Sequence, residues 1–234
     1  MSAFQFKQFQ VRQDQCAMKV GTDGVLLGAW AGLTQASSIL DIGTGTGLMA
    51  LMSAQRNENC NVKALEIDTG AALQARENVE NSPFANRVEV IHADVLAYET
   101  EETFDFIICN PPFFNGSYKP GAQARTLARH QESLTLRSLM EVSKRLGSVH
   151  HILALVFPRH SFNEQRHLID EVGYSIKRIC YVKPNPSKPA HRVLIELALP
   201  HVSQLEETEL SIELSRHIYT EEYKALCRDF YLAM

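Results

Sequence analysis

The chain has 234 residues, 45% of them hydrophobic, which is enough to bury the core of one α/β domain. Its five cysteines form no C-x-x-C pair and no histidine stands at a metal-ligand spacing from them, so the sequence predicts reduced thiols and no metal. No apolar run approaches the roughly 20 residues that cross a bilayer. We therefore expect a cytoplasmic protein with no membrane partner and no obligate protein partner.

Charge is distributed unevenly along the chain, although the formal net charge is only -4. Residues 1–118 hold 7 Lys and Arg against 14 Asp and Glu, residues 119–192 hold 13 against 5, and residues 193–234 hold 3 against 8. The basic middle segment can neutralise phosphates, the source of sequence-independent affinity for RNA. A solvated helix face explains the same charges equally well, and the sequence leaves both interpretations open.

The predicted secondary structure alternates between strands and helices from Ser37 onwards. In chain order the apolar runs and helical patterns are SILDIG, LMALMSAQR, VKALEID, GAALQARENVE, VEVIHAD, FDFIICN, LTLRSLMEVSKRL, HILALVF, FNEQRHLIDEV, IKRICYV and VLIELAL. This alternation predicts an α/β fold, with helices on both faces of a mostly parallel sheet. The last two runs are joined by KPNPSKPAH without a helix, so they are predicted as antiparallel strands at a sheet edge.

Both ends of the chain extend beyond this core. We find no internal repeat and no Gly/Ser linker, so the sequence predicts one domain. Its parts are an N-terminal extension over residues 1–36, a Rossmann-like core over residues 37–200, and a C-terminal tail over residues 201–234. Within the tail, TEEYKALCRDFYL predicts an amphipathic helix that Thr220 caps.

A glycine-rich loop, D-I-G-T-G-T-G, follows the first core strand at residues 41–47. Alternate glycines let the backbone turn tightly and approach a ligand closely. Dinucleotide binders favour G-x-G-x-x-G with a pyrophosphate on the helix N-terminus, and the carboxylate of Asp41 would repel a pyrophosphate. The same carboxylate matches the ammonium of S-adenosylmethionine. The loop therefore favours this methyl donor, with a purely structural glycine turn as the alternative.

Acidic residues follow the next two strands, at the sheet edge where open α/β folds bind ligands. Glu66 is placed to accept both ribose hydroxyls of the cofactor in charge-assisted hydrogen bonds. Asp68 is predicted to cap the following helix. Asp94 is predicted either to accept from the adenine amine of the cofactor or to stabilise a turn.

The tetrapeptide Asn110-Pro111-Pro112-Phe113 follows the fourth strand and decides the functional prediction. An exocyclic amine is a poor nucleophile because its lone pair is delocalised into the ring. The side-chain oxygen of Asn110 and the carbonyl of Pro111 would each accept one N–H and direct the lone pair at a methyl carbon. Prolines make the turn rigid, and Phe113 would stack on a flipped base. A plain Asn-Pro-Pro turn is the alternative.

These motifs resemble those of class I S-adenosylmethionine-dependent methyltransferases from about Ser37 to Phe114. The N-terminal strings F-x-F-K-x-F-x-V and Q-D-x-C-A-M-K-V-G-T-D-G-V-L-L-G-A-W, and the C-terminal YTEEYKALCRDFYL, are similar to bacterial enzymes that methylate the 6-amino group of adenine 37, next to the anticodon of tRNA1(Val). The resemblance implies a seven-stranded sheet with an antiparallel last strand, a tRNA partner, and S-adenosylhomocysteine as the product.

The resemblance also implies roles for individual residues. Asn110, Pro111, Pro112 and Phe113 would grip the target base. The N-terminal extension would cover the cofactor pocket and contribute to it. The residues implied to contact the cofactor are Thr22, Asp23, Asp41, Gly43, Thr44, Gly45, Glu66, Asp94 and Asn110.

Basic residues after the catalytic turn and around the late loop are candidates for RNA contact. They are Lys119, Arg125, Arg129 and Arg137 in the first group and Lys183, Lys188 and Arg192 in the second. An N-P-P-aromatic turn also fits methylation of guanine N2 in ribosomal RNA or of glutamine N5 in a protein. A non-enzymatic RNA-binding module on the same fold is a further alternative, against which the intact Asp41, Glu66 and Asn110 argue.

Overall fold

The computed structural model describes residues 3–111 and 134–233. A short hairpin, β1 (Phe4–Gln5) and β2 (Gln10–Val11), precedes the main sheet, and a second hairpin, β11 (Glu213–Ser215) and β12 (Ile218–Tyr219), follows it. The strands of the main sheet are β3 (Ser38–Ile42), β4 (Asn61–Glu66), β5 (Val88–His92), β6 (Phe104–Cys109), β7 (Gly147–Pro158), β8 (Ser175–Lys183), β9 (Arg192–Ala198) and β10 (Glu206–Ser211).

The described helices are α1 (Thr22–Trp30), α2 (Leu48–Arg56), α3 (Thr69–Glu80), α4 (Leu136–Leu146), α5 (Arg159–Gln165), α6 (His167–Val172) and α7 (Glu221–Cys227), with a 3-10 turn at Leu33–Gln35. None of them is long and apolar enough to cross a membrane. The Thr220 cap is confirmed, because its hydroxyl oxygen accepts from the Tyr223 N–H at 3.1 Å. Helix α1 is a new feature, since the sequence predicted no helix in the extension.

The sheet has the strand order β10-β8-β9-β7-β6-β3-β4-β5. All neighbouring strands pair in parallel except β9, which is antiparallel to both β7 and β8. The prediction of a mostly parallel sheet is confirmed. The last of the seven predicted strands, β9, is antiparallel, as expected. The sheet differs from the prediction at one edge, where β10 adds an eighth strand and covers β8.

Side chains of the strands alternate between two hydrophobic clusters, one on each face of the sheet. Ile39 packs with one cluster and its neighbour Leu40 with the other. The first cluster is completed by the N-terminal hairpin and by α1, α2, α3 and α7, and the second by α4, α5 and α6. Both faces of the sheet are thus covered, which leaves the edge formed by the strand ends for ligands.

The chain reverses direction across the sheet at β3. It runs from β3 to β4 and β5 on one side and then returns to β6 on the other side of β3. The carboxyl ends of β3 and β6 therefore flank a topological switch point, where open α/β sheets form their binding crevice. The glycine loop follows β3 and Asn110 follows β6, so both candidate motifs lie at this point.

Candidate active site

The glycine loop makes the turn that its sequence predicts. Gly43, Gly45 and Gly47 have φ angles of 68°, 58° and 82°, a region that other residues rarely adopt. The N–H groups of Gly43 and Thr44 both donate to the carbonyl of Leu65, at 2.9 and 3.0 Å, and fasten the loop to β4. A Cβ atom placed on Gly43 would meet no atom within 4 Å. The loop is therefore held from behind and open towards the ligand side.

Asp41 lies beneath this loop, fully buried, and does not line the adjoining cleft. Its Oδ2 accepts from the Thr44 hydroxyl at 2.6 Å, whereas Oδ1 has no hydrogen-bond partner among the described residues. Burial raises the pKa of this carboxyl to about 7; the Thr44 hydrogen bond opposes the shift and the charge of Glu66 adds to it. Asp41 is thus placed to support the loop from within.

Glu66 lies at the end of β4 and lines the cleft. Its two carboxylate oxygens accept from the N–H groups of Gly45 at 2.8 Å and Asp68 at 2.9 Å. Each oxygen keeps a second lone pair, so the carboxylate is oriented without being saturated. The predicted cap by Asp68 is confirmed, because its Oδ1 accepts from the Ala71 N–H at 2.8 Å.

Asp94 follows β5 and has the turn-stabilising role considered for it. Its Oδ1 accepts from the Leu96 N–H at 2.9 Å and its carbonyl accepts from the Ala97 N–H at 3.1 Å, so it stabilises a turn. The same residue lines the cleft, on the far side of Glu66 from the glycine loop. Contact with a cofactor adenine stays a prediction.

Asn110 and Pro111 follow β6 and both line the cleft. The Asn110 Nδ2 group lies 4.0 Å from the sulfur of Met18, to which it donates. No described residue donates to the amide oxygen of Asn110, so the predicted acceptor is available. Pro112 and Phe113, the other two residues of the motif, lie outside the described residues.

One cleft runs along the carboxyl ends of the strands and has a volume of about 1980 Å³. A pocket for a single small ligand occupies roughly 300 to 1000 Å³, so this cleft has room for a cofactor and a second molecule. It brings together every residue implied to contact the cofactor except Asp41, namely Thr22, Asp23, Gly43, Thr44, Gly45, Glu66, Asp94 and Asn110.

Two buried amides on α3, which are not among the residues predicted from the sequence, position the N-terminal segment over the glycine loop. Gln74 accepts from the Gln15 N–H at 3.0 Å, and Asn78 exchanges hydrogen bonds of 2.8 and 2.9 Å with the backbone of Arg12. Asn78 also donates to the carbonyl of Thr46 in the loop at 2.9 Å. Their spacing of four residues on the buried face of a helix is the sequence signal that could have identified them.

The candidate RNA contacts have different partners. Lys183 pairs with Glu209 at 2.6 Å, Arg192 with Asp23 at 2.9 Å, and Arg137 with Glu171. Lys188 is exposed on the loop between β8 and β9. The other three candidates, Lys119, Arg125 and Arg129, lie outside the described residues.

The remaining groups of chemical interest are the cysteine thiols and the side chains that could bind a metal ion. All five cysteines are described, and each is a buried free thiol. Within residues 3–111 and 134–233, no three His, Cys, Asp or Glu side chains group together as metal ligands would.

Comparison with known proteins identifies the family. A family model described as the methyltransferase small domain matches residues 23–171. A relative from Parabacteroides distasonis is 46% identical over 99% of this chain and 98% of its own. Another, from Pseudoalteromonas translucida, is 41% identical over 100% of both chains. Both are named tRNA1(Val) (adenine(37)-N6)-methyltransferase.

The chain belongs to this methyltransferase family. Its fold is shared with solved methyltransferase structures, among them a predicted O-methyltransferase from Agrobacterium tumefaciens. That structure superposes with a TM-score of 0.71 over 89% of this chain and 96% of its own, at 21% identity. The predicted class I methyltransferase fold and the prediction of an enzyme are confirmed. The cleft described above is accordingly the candidate active site of a methyltransferase.

Proposed function

We propose that this methyltransferase transfers a methyl group from S-adenosylmethionine to the 6-amino group of adenine 37 in tRNA1(Val). The two relatives reported above, 46% and 41% identical over nearly their whole length, support the substrate. One observation carries the reaction: the glycine loop and Asn110, whose amide oxygen has no donor among the described residues, line the same cleft at the switch point of the sheet. The site for the methyl donor therefore lies next to a hydrogen-bond acceptor that can orient the target amine.

The residues of the cleft fit the methyl donor. S-adenosylmethionine supplies, when bound, an electrophilic methyl group on a sulfonium. Glu66 keeps two lone pairs for the ribose hydroxyls, and the open space at Gly43 leaves room for a ligand close to the backbone. Asp94 is the acceptor for the adenine amine. Asp41 acts indirectly, since it holds Thr44 and the loop in place instead of reaching the ligand.

The N-terminal extension closes the donor site in this proposal. Gln74 and Asn78 anchor the backbone of residues 12 to 15, and Cys16 then lies over the loop, with its sulfur 3.5 Å from the position of a Cβ on Gly45. This cover excludes water from the reacting centre, which strengthens every polar contact inside it.

Two acceptors orient the target amine. The amide oxygen of Asn110 takes one N–H of the adenine and the carbonyl of Pro111 takes the other, so that the nitrogen lone pair points at the methyl carbon. Pro112 and Phe113 extend this grip, with the ring of Phe113 stacked on the flipped base. The nitrogen becomes cationic as it attacks and then loses its proton, so no strong general base is required of the chain.

Incubation with a labelled methyl donor and an unmodified tRNA1(Val) transcript tests the function. After digestion to nucleosides, we expect the label in 6-methyladenosine and none with a transcript that carries guanosine at position 37. Label in 2-methylguanosine, or in glutamine when protein is offered, would replace the proposed substrate by one of the alternatives. A chain that binds RNA but gives no heat with S-adenosylmethionine in calorimetry would be a binding module and no enzyme.

A further inference from the structure

Arg159, an arginine beside the active site, has no acidic partner among the described residues, unlike three of its basic neighbours. Lys183 and Arg192 are paired with carboxylates, and Arg178 bonds the buried Glu196 at 3.0 Å. Arg159 has no ion pair among the residues that the structure describes, although it is only partly exposed. Its charge is therefore available to a ligand.

Arg159 is held in a defined position while its guanidinium N–H groups have no hydrogen-bond partner among the described residues. Its guanidinium carbon lies 4.0 Å from the centroid of the Tyr181 ring, a distance for face-on stacking. Its backbone N–H donates to the carbonyl of His191 at 3.0 Å. Stacking fixes the plane of the guanidinium while its edge stays open, and an open edge is the part that binds phosphate with two parallel hydrogen bonds.

The position of Arg159 relates it to the target base. It directly follows Pro158, which lines the cleft at the carboxyl end of β7. Strand β7 pairs in parallel with β6, so Arg159 and Asn110 follow neighbouring strands at the same edge of the sheet. The cofactor residues Glu66 and Asp94 lie on the other side of β3, beyond the catalytic turn. Arg159 is not itself among the residues that line the cleft, but through Pro158 it lies next to the half of the cleft assigned to the substrate.

We propose that Arg159, stacked on Tyr181, binds a backbone phosphate of the tRNA next to the flipped adenine. The inference rests on the proposed function, because it takes the substrate to be RNA. Flipping a nucleotide exposes the phosphates on either side of it, and a rigid arginine fork fixes their register relative to Asn110. The exposed Lys188, on the loop that precedes His191, lies on the same side and supplies a second positive charge.

The test compares Arg159→Gln with a matched control, Arg166→Gln. Arg166 also lies over an aromatic ring, 5.9 Å from the centroid of Phe162, but it lines a hollow with Ser175 at the amino end of β8. The KM for tRNA is measured over a range of salt concentrations. We expect Arg159→Gln to raise this KM about tenfold and to lower the slope of log KM against log salt by about 0.7 to 0.9, as for one lost phosphate contact. Arg166→Gln should change neither quantity.

Two further variants distinguish the effect of the planar, stacked guanidinium from the effect of its positive charge. Arg159→Lys keeps the charge and loses the planar fork, so we expect the salt slope of the wild type with an intermediate KM. Tyr181→Leu removes the stacking surface and should raise the KM for tRNA while the KM for the methyl donor stays unchanged. These variants also provide the answer if Arg159→Gln does not fold, which thermal melting will show.

The outcomes distinguish this inference from the proposed function. If the wild type methylates adenine 37 and Arg159→Gln retains its KM and salt slope, Arg159 is a solvated side chain and the inference is overturned while the function stands. Fluorescence anisotropy with labelled tRNA1(Val) measures the same contact without the reaction. If no methylation occurs, an unchanged affinity of Arg159→Gln in that assay overturns the inference, and a salt-dependent loss of affinity supports it.

Discussion

The Nε atom of Arg192 lies 3.0 and 2.9 Å from the two carboxylate oxygens of Asp23, although the two residues are 169 positions apart in the chain. The pair joins the first residue of β9 to the first turn of α1. Gly24 in the same turn is close to the catalytic motif, since a Cβ there would lie 3.9 Å from Asn110 Nδ2. The ion pair therefore holds the N-terminal wall of the cleft against the sheet.

Loss of this pair should weaken binding of the methyl donor. Arg192→Gln frees the first turn of α1, where Thr22 lines the cleft, and we expect about fivefold weaker S-adenosylmethionine binding in calorimetry. The expected loss of affinity is modest because each side chain is about 30% exposed and solvent screens the pair. The double variant with Asp23→Asn should bind no more weakly than Arg192→Gln alone. A lower salt slope for tRNA, with donor binding intact, would instead make Arg192 the RNA contact that the sequence suggested.

Asn110→Ala should remove most of the activity and little of the donor binding. The amide oxygen of Asn110 has no described donor, so its removal leaves the fold intact and takes away one acceptor for the target amine. We expect single-turnover rates to fall about 10²- to 10³-fold, as for loss of one preorganised polar contact. Calorimetry with S-adenosylmethionine is the control. A rate equal to that of the wild type would exclude Asn110 from the mechanism.

Asp41 should make the stability of the protein fall as the pH rises. Its folded-state pKa, about 7, exceeds the ordinary value of 3.8, so between these limits the folded state binds more protons than the unfolded state. Stability from this group is complete below pH 4 and is lost as the pH rises to 7. Asp41→Asn stays neutral and can still accept from Thr44. The melting temperature of the wild type should therefore decline relative to this variant from pH 4 to 7; a constant difference would contradict the buried, protonated state.

Those site residues that directly follow a strand could be predicted from the local sequence. The glycine loop, Glu66 and Asn110 each follow an apolar run, and parallel strands bring their carboxyl ends to one edge whatever lies between them. The Asp23–Arg192 pair could not be predicted this way. The two residues are distant in the chain, and nothing in the sequence around a charged residue indicates which residue it will pair with. The sequence therefore places Arg192 only among the candidate RNA contacts.

Strand β10 is a second element that local sequence does not predict. Its sequence, EETELS, holds three glutamates and no apolar alternation, and Leu210 is its only buried residue. The strand forms because its backbone pairs with the free edge of β8, aided by ion pairs of 2.6 Å from Lys183 to Glu209 and 3.4 Å from Arg178 to Glu206. Main-chain pairing and cross-strand charges leave no hydrophobic periodicity to detect.

His151, a buried histidine of β7, should make the stability of the fold sensitive to acid. The Nδ1 atom of His151 lies 2.7 Å from the carbonyl of Ser148, which can only accept, so Nδ1 carries the proton. The Nε2 atom then accepts from the hydroxyl of Tyr174 at 2.6 Å. A proton on Nε2 would reverse this bond and turn the Tyr174 hydroxyl towards the carbonyl of Met140, 3.4 Å away, with a charged imidazolium left in a buried site.

Acid should therefore destabilise the wild type more than a variant that lacks this imidazole. Burial lowers the pKa of His151, and the charge of Lys144 lowers it further, against the effect of the Ser148 hydrogen bond. A group with a depressed folded-state pKa stabilises the fold above its unfolded value of 6.5 and loses that contribution as the pH falls below it. Between pH 7 and 5 the melting temperature of the wild type should fall by more than that of His151→Gln. The neighbouring exposed His150 supplies the matched control, and His150→Gln should follow the wild type; equal slopes for all three proteins would show that His151 does not titrate on unfolding.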